Sequence, residues 1–156
     1  MPKVRTKCFD EIEFADAAVF HFPSGLPGFE EEHAFVFLDR PDTKPLMFMQ
    51  SLATPELCFF LFPIFVVDPE YRLSLDEDQL SELQLAAGSQ PRIGEDILCA
   101  AIVRTGNAED SGPTANLLAP IVVNLKERIG LQAIQTQSGY SHRHPLAVRQ
   151  EPVACS

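Results

Sequence analysis

Proline and glycine interrupt this chain so often that long helices have almost nowhere to form. There are 13 Pro and 8 Gly, and only stretches 3–22 and 70–87 run past 12 residues without either. An internal Pro costs a helix ~3 kcal/mol and an internal Gly ~1 kcal/mol. Stretch 3–22 carries its β-branched and aromatic residues in short blocks, EIEF and AVFHF, which favours strands. Stretch 70–87 differs and predicts one short helix over 76–86. Asp76 is placed to cap it, with Gln79 completing a capping box and Leu75 and Leu80 forming a hydrophobic staple. Leu80, Leu83 and Ala87 recur at helical spacing, and Gly88 is the expected stop.

The rest reads as strands between turns. The expected strands are 3–9, 11–14, 17–22, 34–38, 46–51, 57–62, 64–67, 97–104, 120–124 and 130–136. Four of them, AFVFL, LMFMQ, LCFFLF and ILCAAIV, are apolar almost without a break. Continuous apolar strands are buried on both faces or belong to a tightly closed barrel. The expected fold is therefore mostly β: a small antiparallel β-barrel, closed or partly open, with one helix. At 156 residues the chain fits one domain. That domain is assigned to 1–146, and the unperiodic tail 147–156, AVRQEPVACS, is expected to fray. No apolar stretch approaches the ~20 residues of a membrane helix. The N-terminus MPKVRTKCFDEIEF lacks the apolar block of a secretory signal, so a cytoplasmic location is expected.

Charge is uneven. The whole chain carries −10; residues 1–125 hold 20 acids and 8 bases, net −12, whereas 126–156 are net +2. An acidic body disfavours direct nucleic-acid binding, where affinity comes from bases neutralising phosphates. It serves solubility, or it speeds encounter with a basic protein.

Sites for chemistry are scarce. The G-x-x-G at Gly25–Gly28 lacks the Lys and Ser/Thr of a phosphate loop and reads as a turn. His142 and His144 can share one side of an extended segment, yet no Asp, Glu or Cys lies within the same segment to complete a metal site. His21, between two Phe, alternates with them toward solvent or a polar contact. Cys8, Cys58, Cys99 and Cys155 form no CxxC, and Cys58 and Cys99 lie in apolar runs that imply buried thiols. The acidic triplets 30–32 and 76–78 lack the calcium-loop pattern. No GxSxG elbow is present. No catalytic residue, metal or cofactor is expected. A small β-barrel enzyme or cofactor binder is the rival reading, with Cys58, His142 and His144 as its nearest residues.

Several segments exceed what composition explains. In chain order they are FPSGLPGFEE (22–31), a strand ending in Gln50–Ser51, DPEY (68–71), TANLLAP (114–120), a strand ending in Asn124, a strand through Gln132, and RHPL (143–146). Together they resemble the FliW flagellar assembly factors, over roughly residues 3–146. The resemblance implies a barrel-like β fold that binds and does no chemistry. It implies two partners, flagellin and the RNA-binding translational regulator CsrA, with no direct nucleic-acid or membrane contact. Factor freed by flagellin export captures the regulator, allosterically and not in its RNA groove, and so relieves repression of flagellin translation. A flagellin-only chaperone is a further alternative.

The partner-binding candidates are Leu26, Pro27, Phe29, Glu30, Glu31, Asn116, Arg143 and His144. The turn either exposes Leu26 and Phe29 to a partner or packs them to close a hairpin, and Leu26→Asp is expected to weaken binding without unfolding the domain. Asn116 and Asn124 are expected to hydrogen-bond backbone in loops. Arg143 and His144 form a basic edge for a partner's carboxylate or an internal one. The family often carries an aromatic-rich strand before the Gln–Ser pair, sometimes with Trp; here Phe48 stands between two Met and the chain has no Trp.

Overall fold

The computed structural model describes residues 3–5, 11–13, 18–105, 112–136 and 138–146. The expectations for 6–9, 14 and 17, for the tail 147–156, and for Cys8 and Cys155 lie outside them. In chain order the strands are β1 (Lys3–Arg5), β2 (Glu11–Glu13), β3 (Val19–His21), β4 (Ala34–Asp39), β5 (Met47–Ser51), β6 (Cys58–Pro63), β7 (Ile97–Arg104), β8 (Thr114–Ala115), β9 (Ile121–Asn124), β10 (Ile129–Gln132) and β11 (His144–Pro145). Two short helices, α1 (Ile64–Val67) and α2 (Glu77–Glu82), lie between β6 and β7.

β1 and β2 form a separate hairpin. The barrel runs β7–β6–β5–β4–β3–β10–β9 and closes because β7 also pairs β9. Seven strands make the ring, and an odd ring cannot alternate direction throughout. One parallel pair is obligatory, and it falls at β3 and β10, whose single register pair is Ile129↔His21. The expected closed barrel thus forms with one parallel seam. β8 and β11, not expected as strands, extend the sheet from the second half of β7.

The continuous apolar runs are explained by two cores. Along β7, Leu98, Ala100 and Ile102 face the barrel interior with Phe22, Leu26, Phe35, Met49 and Leu61. Ile97, Cys99 and Ala101 face outward under Ile64, Tyr71 and Leu83. The interior is tight at Gly130, where an added Cβ would lie 2.5 Å from Val123 Cγ1 and 2.7 Å from the Phe22 ring.

Two expectations are corrected. Segment 64–67, expected as a strand, is α1. Pro63 caps it, Asp68 N–H closes the turn on Ile64 O at 2.9 Å, and only Ile64 is fully buried; Phe65 and Val66 are 45% and 52% exposed. Its β-branched run has no neighbouring strand to pair with, so the single helical turn after Pro63 wins. The second correction is the end of α2. Its start has the expected capping box, with Gln79 N–H on Asp76 Oδ1 (2.8 Å) and Asp76 N–H on Gln79 Oε1 (2.9 Å). Its stop is Gln84 at φ 60°, not Gly88. Leu85 N–H returns to Leu80 O (2.8 Å), and Leu85 packs against the outer core. That hydrophobic contact offsets the cost of a left-handed non-glycine residue.

Candidate functional site

The G-L-P-G-F turn between β3 and β4 is a tight hairpin of its own. Leu26 N–H donates to Phe29 O (3.2 Å) and Phe29 N–H to Leu26 O (2.7 Å). Pro27 and Gly28, the latter at φ 86°, are the central residues, the arrangement of a type II turn. Gly25 sits at φ 64°, with the Phe29 and Glu30 carbonyl oxygens 2.6 Å from where a Cβ would stand. The two apolar residues then part company. Leu26 is 2% exposed and plugs the barrel, while Phe29 is 41% exposed and meets Phe59 edge-on at 5.6 Å. This corrects the expectation for Leu26→Asp: the carboxylate would land in the core, so the substitution disrupts the fold.

Behind the turn, Glu32 accepts hydrogen bonds from the Ser51 and Thr54 hydroxyls, the latter at 2.6 Å. Ser51 Oγ in turn accepts from Thr54 N–H at 2.9 Å. Buried Gln50 donates from Nε2 to Ser51 O (2.9 Å) and Pro55 O (3.2 Å). The Gln–Ser pair therefore shapes the β5–β6 hairpin and is not offered to solvent.

Facing the turn is a wall made by the end of β7, by β8 and by residues 141–143. Asn116 N–H donates to Ile102 O (2.9 Å), and its Oδ1 accepts from Leu118 N–H (3.1 Å) and Ala119 N–H (3.0 Å). Ser141 O accepts from Leu117 N–H (3.0 Å), and Ser141 Oγ accepts from Arg143 N–H (2.9 Å). Between turn and wall runs a groove of about 790 Å³. It brings together Leu26, Pro27, Phe29, Asn116 and Arg143 from the candidate set, and Cys58 and His142 from the rival one. Glu30, Glu31 and His144 do not line it. Glu30 instead accepts from Gly28 N–H (3.0 Å), Glu31 is exposed, and His144 pairs Ala115 in the sheet. No cluster of three His, Cys, Asp or Glu able to hold a metal occurs among the described residues. Burial pushes the Cys99 thiol up to about 12, so it stays neutral and inert at ordinary pH.

Sequence reasoning missed Arg104, Phe59, Phe60, Ile102 and Val103 as groove residues. They share a groove with the turn only because the barrel folds that way, and spacing carries no signal of that. It also missed the struts that hold the outer layer. Tyr71 O–H donates to Leu117 O (2.6 Å) and stacks on Tyr140 at 4.3 Å, which accounts for the DPEY stretch. Buried Gln135 grips Ser74 at both N–H (2.8 Å) and O (2.9 Å). Asn124 fills its expected role, donating to Leu83 O (2.7 Å) and accepting from Lys126 and Glu127 N–H.

The family model described as FliW protein matches residues 3–146. The chain belongs to the FliW family. The flagellar assembly factor FliW of Desulfitobacterium hafniense (strain Y51) is 36% identical over 144 residues, covering 92% of this chain and 90% of that protein. That of Geobacillus kaustophilus (strain HTA426) is 37% identical over 144 residues, covering 92% and 94%. A crystal structure of the flagellar assembly factor FliW superposes with a TM-score of 0.79 at 37% identity, covering 92% of this chain and 96% of that one. A role in flagellum assembly follows from this membership. Within the FliW frame, most of the motif residues are seen here to set turns, caps and struts around the groove. Among the described residues, no helix is long and apolar enough to cross a membrane.

Proposed function

We propose that this chain is a cytoplasmic regulator that works by binding: it holds flagellin and, when flagellin is exported, captures the translational regulator CsrA and relieves repression of flagellin translation. It makes or breaks no covalent bond. The observation that supports this reading is the −10 charge, together with where its acids sit. Glu77, Asp78 and Glu82 lie on α2, and the loop that follows leads to Glu95 and Asp96 beside Glu127. A regulator that presents basic surface to RNA is attracted to such a flank, and RNA is not.

The test is a pull-down of purified chain with flagellin and with CsrA, separately and in competition, followed by association rates across ionic strength. Both partners are expected to be retained. The rate with CsrA is expected to fall about tenfold or more between low and physiological salt. Retention of neither partner, or turnover of a small molecule lost on replacing Cys58 or His142, would overturn the reading.

A further inference from the structure

The groove does not share the charge of the body around it. The chain has 22 acids against 12 Lys and Arg, yet among the described residues no acid lines the groove, and Arg104, His142 and Arg143 do. Glu95 and Asp96 precede β7 and Arg104 ends it, so the opposed charges stand roughly 25 Å apart along one strand. Among the described residues, neither Arg104 nor Arg143 makes an ion pair, and both are exposed. The lip across from them is the half-exposed ring of Phe29, and Phe59, Phe60 and Ile102 add apolar floor.

We propose that this groove is a docking site for a polypeptide segment carrying apolar side chains and at least one side-chain carboxylate. The apolar floor and the Phe29 lip take the apolar side chains. The guanidinium of Arg104 or Arg143 takes the carboxylate, for which its planar fork is suited. Charge complementarity selects this occupant. An acidic body next to the groove leaves room for one or two anionic contacts and repels a polyanion, so a nucleic acid is the disfavoured ligand. The volume of about 790 Å³ falls in the ~300–1,000 Å³ range of ligand-binding clefts and cavities, enough for a few side chains. The proposal stands apart from the flagellin and CsrA reading: either can fail without the other.

The experiment pans a random dodecapeptide phage library against the immobilised full chain, then measures the enriched peptide, labelled and synthetic, by fluorescence anisotropy. Enriched peptides are expected to combine Asp or Glu with Leu, Ile or Phe. The pair Arg104→Glu with Arg143→Glu is expected to weaken binding about tenfold or more at ~0.05 M salt, with a smaller difference at ~0.5 M. The milder pair Arg104→Gln with Arg143→Gln should weaken it in the same direction, and it decides the matter if charge reversal perturbs the melting curve. Glu95→Lys, at the other end of β7, should leave peptide affinity unchanged. Failure to enrich any peptide, enrichment of basic or uncharged ones, or affinity untouched by the Gln pair would overturn the proposal. So would tight binding of a single-stranded RNA oligomer that the Gln pair abolishes.

Discussion

The two ends of β7 differ in both charge and packing. At its start, Glu95 and Asp96 stand in solvent beside Glu127, and the neighbouring polar groups are tied down: Asn124 is buried and makes three hydrogen bonds. At its finish, Arg104 points into a groove whose floor is aromatic and whose arginines lack ion-pair partners among the described residues. The first end is satisfied internally and offers only a field to the outside. The second is left incomplete, with a well-hydrated cation beside an aromatic face whose exposure to water costs free energy unless a partner covers it. Acidic charge alone and basic charge beside apolar surface are thus placed at opposite ends of one strand.

Substitutions in the turn test that contrast most strongly. Leu26→Asp places a charge in the barrel interior and is expected to cost about 3 kcal/mol or more, seen as a collapsed urea midpoint. Phe29→Asp, three residues on, should change the unfolding free energy by no more than about 1 kcal/mol. Equal losses for the two would mean that the turn has no outward face. Next in size is Gly130→Ala, on the seam strand. With Val123 and Phe22 in the way, overpacking is expected to cost about 1–3 kcal/mol, and a neutral result by chemical denaturation would show the interior to be looser than the contacts imply.

On the acidic flank, Asp76→Ala removes the α2 cap and should cost about 1 kcal/mol. A smaller fall in melting temperature than for Gly130→Ala is the expected order. Near neutral pH the smallest effect is that of titration. Burial raises the Cys99 thiol from 9.0 to about 12, and the Tyr71 phenol is raised too, mainly by burial, with the charges of Cys99, Tyr140 and Asp68 adding. Both groups hold their protons more tightly folded than unfolded. Stability from Cys99 is therefore complete below pH 9 and lost as pH rises toward 12. A melting temperature that falls above about pH 9, and falls less steeply in Cys99→Ala, would bear this out; an identical slope would assign the loss elsewhere.

Local chemistry carried much of this into the sequence. The Asp76–Gln79 box, the Pro27–Gly28 turn and the Asn116 and Asn124 loops are legible because each is a short-range hydrogen-bond pattern tied to particular residue types. The unbroken apolar run of β7 likewise announced burial on both faces. Where only local propensity was available, it misled. Ile64–Val67 has strand-like residues, but Pro63 ends β6 and leaves them nothing to pair with. Gln84 adopts a glycine-like φ because Leu85 gains a place in the outer core.

By itself, then, the sequence determined the class of fold, the turns and caps, the family and the acidic balance, since all of these follow from composition or from residues close in the chain. Only the tertiary structure decided which of Leu26 and Phe29 turns inward, that an odd ring closes on one parallel seam, and that Phe29, Phe59, Arg104 and Arg143 face one groove. Those outcomes depend on how strands far apart in the chain register against one another. That register is set by the shared filling of two cores, and no short stretch of sequence contains it.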